Sequence, residues 1–181
     1  MSDLNNALFL WINATAASPA WVVSFAQFVT VHLPEWMIVG SAAAFLVGDA
    51  RVRRNVLMVT VAMLTAWLLA RTGQYLFPMP RPFSIGLGTA WMKHSDGPGF
   101  PSNHSSVTFA FAFAVAACTR RWFFAAAAIV VACLVGWSRI SLGLHFPGDV
   151  LAGVLVGGVS AWLAALLLLR TRSIPTFSRT L

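Results

Sequence analysis

Long apolar runs separated by short polar breaks organise the chain. Runs over about 34–48, 55–77, 102–118, 122–141 and 147–169 read as five spans, the first of them short of the ~20 residues a helix needs to cross a bilayer. Phe109, Phe111 and Phe113 alternate as in a strand, but an isolated strand cannot satisfy its backbone in lipid, so helix is expected there too. Ahead of the spans, residues 3–14 place Ala7, Leu8, Leu10 and Trp11 on roughly one face, the pattern of an interfacial helix with Trp11 at headgroup depth. A second short helix is expected over 19–31. His32-Leu33-Pro34-Glu35 breaks it, with Pro34 opening the first span. Gly153-x-x-x-Gly157 in the fifth span is a signature of close helix approach. The reading is all-α: a polytopic membrane bundle forming one domain, with interfacial helices over 1–33, the bundle over 34–169 and a basic cytoplasmic tail over 170–181.

Composition agrees with the membrane reading. The chain is 59% hydrophobic and 9% charged, against about 25% charged in a soluble domain. Its net charge of +7 does not point to nucleic acid, because the bases form no stripe. They sit in short clusters between apolar runs, as cytoplasmic anchors do. With five spans, Arg51, Arg53, Arg54, Arg120, Arg121, Arg170 and Arg172 share one side, the cytoplasmic one. The loop 78–101 and the turn 142–147 then face outward together. Cys118 and Cys133 lie inside apolar runs and read as small buried hydrophobes. Residues 1–19 lack a basic leader and carry Asp3, Asn5, Asn6 and Asn13, so no cleavable signal peptide is expected.

Those two outward stretches hold the chemistry. Arg81 stands just beyond the second span, and Pro101-Ser102-Asn103-His104 opens the third. The free N–H groups at that helix start make an anion site, with Ser102 able to cap and donate. Ser138-Arg139 lies near the outer end of the fourth span. His145 precedes the fifth, and Asp149 falls in its first turn, able to reach back and set the tautomer of His145. Two arginines, helix-terminal amides and two histidines, one backed by a carboxylate, suit phosphoryl transfer. One histidine can attack phosphorus while the other protonates the leaving oxygen. Carboxylates are too few for a metal site, and no cofactor is expected.

Arg81-Pro82, Pro101-Ser102-Asn103-His104 and Ser138-Arg139-(five residues)-His145-(three residues)-Asp149 resemble the three-part signature of the type 2 phosphatidic acid phosphatase superfamily, which includes integral membrane lipid phosphatases. The resemblance spans residues 71–149. It implies that His145 is the nucleophile forming a phosphohistidine, that Asp149 orients it, and that His104 is general acid and then base. It implies that Arg81, Ser102, Arg139 and the amide of Asn103 hold the phosphate, without metal. Within the family, Phe77-Pro78-x-x-Arg81-Pro82-Phe83, Phe100-Pro101-Ser102 and Trp137-Ser138-Arg139 look most like the bacterial undecaprenyl-diphosphate phosphatases of the bacitracin-resistance type. That likeness implies cleavage of the lipid diphosphate on the periplasmic face of the inner membrane, in carrier-lipid recycling for the cell wall.

The chain departs from the family pattern at two places. Gln74 stands where a lysine is usual, and Asn103 follows the serine where glycine is usual. Arg71, one turn back from Gln74 on the same helix face, is a candidate replacement cation. Lys93, His94 and Asp96 are candidates for steering a diphosphate. Alternative activities are hydrolysis or transfer of phosphate on other lipids, such as phosphatidylglycerophosphate or phosphatidate. A small anion transporter is a third reading, against which spans three to five are almost wholly apolar on their cytoplasmic half. Oligomeric state is not encoded legibly.

Overall fold

The computed structural model describes residues 3–171, and every regular element among them is helical. They are α1 (Asp3–Ile12), α2 (Ala20–Val47), α3 (Ala50–Leu76), α4 (Asn103–Cys118), α5 (Trp122–Ser141) and α6 (Pro147–Thr171), with a single 3-10 turn at Phe83–Ile85. Helices α2, α3, α5 and α6 are long and apolar enough to cross a membrane. Helix α4, with 16 residues, is only about 24 Å long at 1.5 Å per residue. The expected basic tail from Arg172 onward lies outside the described residues, and α6 itself runs through Arg170.

Two boundaries differ from expectation. The segments over 19–31 and 34–48 form one 28-residue helix, α2, with Pro34 inside it. Proline removes only the bond that Thr30's carbonyl would accept, and a packed membrane helix tolerates that loss. The basic cluster at 51–54, expected between two apolar runs, is likewise helical and opens α3. Asp49 caps it by accepting from the amide of Val52 at 2.8 Å. Arg53 then donates to the carbonyls of Phe45 and Leu46, which end α2 without helical partners.

Helix α4 is the centre, packed against α3, α5 and α6. Small residues let it in: Ala62 and Ala66 of α3, Ala110 and Ala114 of α4, and Ala161 and Ala164 of α6 are all buried together. The Gly153/Gly157 pair works as its spacing suggests. A Cβ on Gly153 would meet Ser105 Cβ at 2.7 Å, and one on Gly157 would meet the amide of Ala110 at 2.7 Å. At the far end of the bundle the Cys118 thiol approaches Asn55 and Met58 of α3. The α2–α3 and α4–α5 turns therefore share one end, and the loops 77–102 and 142–146 share the other.

Helix α1 is not merely laid on a surface. Leu8, Leu10 and Trp11 are exposed, as expected for lipid contact, but Phe9 is fully buried against Phe146, with ring centroids 5.3 Å apart. The asparagines that interrupt its pattern are grips. Asn5 Oδ1 accepts from the amide of Gly148, and buried Asn13 donates to the carbonyls of Thr89 and Ser141 while accepting from the amide of Thr89. Gly143 makes the opposing turn, with φ +77° and the Thr89 carbonyl packed so close that a Cβ would overlap it.

Candidate active site

The signature residues converge at the end of the bundle that carries the long loop. His145 lies in the short connection between α5 and α6, 1% exposed. Its amide and that of Leu144 both donate to the carbonyl of Arg139, which closes the turn after α5. Asp149, in the first turn of α6, accepts from the amide of Phe146 at 2.9 Å through Oδ2. The same oxygen lies 3.4 Å from His145 Nδ1. That is ion-pair range without a formed hydrogen bond, since Nδ1 has no hydrogen-bond partner. On the other side of the ring, Arg81 Nη1 lies 2.9 Å from Nε2.

A guanidinium can only donate, so Nε2 presents its lone pair and the ring proton sits on Nδ1, facing Asp149. Burial first, and then the positive charges of Arg139 and Arg81, hold His145 well below the ordinary histidine range. The imidazole is neutral, with its basic nitrogen aimed away from the carboxylate.

Arg81 itself is buried in the loop and braced by three carbonyls: Nε to Gly97, Nη2 to Pro98 and Nη1 to Leu144. Burial lowers its pKa, and Asp149 acts against that shift. The segment crossing over it is tight at Gly99, where a Cβ would stand 3.2 Å from Arg81 Cγ and 3.4 Å from Asp149 Oδ2. Arg139 is 3% exposed. Its Nη1 donates to Thr30 Oγ1 at 3.0 Å, while Nε and Nη2 are buried without a partner. A buried guanidinium edge left unpaired is a costly arrangement unless an anion completes it.

The start of α4 completes the ring. Ser102 caps the helix, its hydroxyl oxygen accepting from the amide and the hydroxyl of Ser105. Both lone pairs are thus engaged and its own proton remains to donate. Its amide donates to the carbonyl of Asp149 at 3.0 Å, tying α4 to α6. Asn103 and His104 occupy the first turn, with the amide of Asn103 among the free donors there. Asn103 Oδ1 is buried and unpartnered. His104 thus stands at the end of the bundle that carries His145, Arg81 and Arg139.

The remaining candidates stand apart. Gln74 is buried and donates through Nε2 to the carbonyl of Pro101 at 3.0 Å, so it supports the α4 entry. Arg71 is exposed, 5.9 Å over the Trp67 ring, and its guanidinium donates to Gln74 Oε1 at 3.4 Å. It meets the site through Gln74, not within the ring of donors. Lys93 is exposed and, with His94 and Asp96, lines an open cleft of about 450 Å³ beside Trp91 and Phe83. His94 is half-buried and is held below the ordinary range by burial and by the charge of Arg81.

The profile of the PAP2 superfamily matches residues 54–173. The chain belongs to the PAP2 superfamily. Among its relatives, YbjG of Escherichia coli (strain K12), provisionally named an undecaprenyl-diphosphatase, is 34% identical over 157 residues, 87% of this chain and 79% of that one. The undecaprenyl-diphosphatase BcrC of Bacillus subtilis (strain 168) is 27% identical over 139 residues, 75% and 71% of the two chains. The crystal structure of Aquifex aeolicus LpxE superposes with a TM-score of 0.77 at 23% identity, covering 91% of this chain and 96% of that one. That of a transmembrane PAP2-type phosphatidylglycerolphosphate phosphatase from Bacillus subtilis gives 0.71 at 21%, covering 96% and 87%. With its four long apolar helices, this is a multi-pass membrane lipid phosphatase of the PAP2 superfamily.

Sequence reasoning missed three residues that shape this PAP2 site: Thr30, which holds Arg139, and Asn5 and Asn13, which dock α1 beside His145. Thr30 carries no local signal. The two asparagines did carry one, as polar positions in an otherwise apolar helix.

Proposed function

We propose that this chain hydrolyses undecaprenyl diphosphate to undecaprenyl phosphate and inorganic phosphate, on the periplasmic face of the bacterial inner membrane. The observation that carries the reading is the posture of His145: Nε2 deprotonated and turned to Arg81, Nδ1 turned to Asp149. A neutral buried imidazole with a directed lone pair is a nucleophile.

The terminal phosphate occupies the space bounded by the unpaired edge of Arg139, the Ser102 hydroxyl, the amide of Asn103 and Arg81. Arg81 Nη1 passes from Nε2 to a phosphoryl oxygen, while its three carbonyl braces keep the guanidinium in place. Nε2 bonds to phosphorus, the bond to the bridging oxygen breaks, and His104, an imidazolium while the anionic substrate is bound, gives that oxygen its proton. Water then gives a proton to His104 and its oxygen to phosphorus, and the P–N bond breaks with its electron pair returning to Nε2. Asp149 stabilises the ring while it carries phosphate. The donors needed to offset charge on the transferring group are fixed before substrate arrives.

Two observations support the substrate and the side. The relatives named undecaprenyl-diphosphatases align over most of both chains. The arginines at 51, 53, 54, 120 and 121 fall at the end of the bundle away from the site, as the positive-inside rule asks of the cytoplasmic end. The test is phosphate release from undecaprenyl diphosphate by the purified protein in detergent with chelator present. Turnover lost on His145→Ala supports the reading. Faster turnover of phosphatidylglycerophosphate or phosphatidate in the same panel would move the substrate assignment, and no turnover of any lipid phosphate would overturn the enzyme reading.

A further inference from the structure

We infer that Thr30 of α2 is a positioning residue for phosphate binding, acting through Arg139; this deepens the phosphatase reading and rests on it. Thr30 lies outside the matched family segment and 109 residues from its partner. It is 4% exposed, and its hydroxyl oxygen accepts from Arg139 Nη1 at 3.0 Å.

Which nitrogen it takes decides what is left. Nε and Nη2 form the side edge of the guanidinium, two parallel donors spaced to meet two oxygens of a tetrahedral phosphate. Those are the two nitrogens without partners. Nη1 is the one donor group outside that edge. By engaging it, Thr30 fixes rotation about the last bonds of a long side chain and leaves the fork free. Without the hydroxyl, Arg139 would hold a third unpaired nitrogen in a buried setting and would turn to satisfy it, at the expense of the fork.

The surroundings suit a rigid rest. Trp137 on α5 packs against Phe25 on α2, ring centroids 6.1 Å apart, five residues before Thr30 on the same helix. Pro34, four residues later, supplies no amide to the Thr30 carbonyl. Helix α2 thereby contributes a side chain to a site whose other members come from the α3–α4 loop, α4, α5, the α5–α6 connection and α6.

The test compares Thr30→Val, which keeps the shape and removes the acceptor, with Thr30→Ser, which keeps the acceptor and removes the methyl. Inorganic phosphate is the probe, read both as product inhibitor and as a ligand that raises the melting temperature. Thr30→Val is expected to weaken phosphate about tenfold, the scale of one hydrogen bond to a charged group, and to lower kcat/KM in parallel. Thr30→Ser is expected to stay within about twofold of the unsubstituted protein. In an Arg139→Lys background, Thr30→Val is expected to add nothing, which a purely structural role would not produce. If the valine variant does not fold, Thr30→Ala enters the same cycle. Unchanged phosphate affinity in Thr30→Val, equal losses in the serine and valine variants, or full additivity with Arg139→Lys would overturn the inference. Absence of lipid-phosphate turnover in the unsubstituted protein would sink the functional reading instead, while the phosphate-binding comparison would still decide the role of Thr30.

Discussion

Arg81 Nη1 stands 2.9 Å from His145 Nε2, the nitrogen that attacks phosphorus in the proposed reaction. This contact fixes the tautomer and keeps the lone pair directed, and in the proposed reaction a phosphoryl oxygen takes over the donor. It also explains why Arg81 is held by three carbonyls rather than left free for substrate. A single ammonium cannot brace Gly97, Pro98 and Leu144 and reach Nε2 together. Arg81→Lys is therefore expected to lower kcat/KM by at least about tenfold, read from phosphate release at several lipid concentrations.

Gln74 and Arg71 separate by the same logic. Gln74 holds the Pro101 carbonyl from a buried position, so Gln74→Leu is expected to cost about 1–3 kcal/mol of stability and to reduce kcat/KM by misplacing the α4 amides. Arg71 is exposed, lies over the Trp67 ring and reaches the site only through Oε1 of Gln74. Arg71→Gln is expected to keep activity within about threefold, as befits an exposed contact. A loss beyond tenfold in Arg71→Gln would mean that it serves the phosphate directly.

The α4–α6 seam sets the spacing between Ser102 and Asp149. Gly157 faces the backbone of Ala110, which cannot swing away as a side chain could. Gly157→Val is expected to destabilise the protein by more than about 2 kcal/mol, seen as a lowered melting temperature in detergent together with lost activity. A variant with unchanged melting would show that the helices do not approach this closely.

Protonation gives a stability signature. His145 is neutral in the folded protein because burial and nearby cations depress its pKa. An unfolded histidine titrates near ~6.5. Below that pH the unfolded chain binds a proton that the folded chain does not, so stability falls as pH falls through the unfolded value. His145 contributes at most about 1.4 kcal/mol per pH unit to that slope, fading to little above pH ~7.5. Melting curves between pH 5 and 7.5, taken without phosphate, are expected to be flatter for His145→Asn than for the unsubstituted chain. Parallel curves would mean that the imidazole is not held neutral.

The limits of the sequence reading have physical causes. The spans at 102–118, 122–141 and 147–169 were legible because apolar runs and basic turns are local signals, and α4, α5 and α6 follow them closely. The Gly153/Gly157 seam was legible because its spacing matches a helix turn. Helix α2 was misread because His32, Pro34 and Glu35 mimic a break that one missing hydrogen bond does not enforce. The docking of α1 and the Thr30–Arg139 bond were not legible, since the Asn5, Phe9 and Asn13 contacts of α1 and the Thr30 hydroxyl all join residues far apart in the sequence. Gln74 was legible as a departure from a pattern, but not as the support of Pro101.

The most direct test of the central claim is to trap the covalent intermediate. The purified protein is mixed with undecaprenyl diphosphate labelled in its terminal phosphate, quenched within the first turnover and digested under alkaline conditions, where phosphohistidine survives. The account predicts label on the peptide carrying His145, lost in His145→Asn and prolonged in His104→Gln once formed from an activated substrate. Label elsewhere, or phosphate release that persists in His145→Asn, would contradict it.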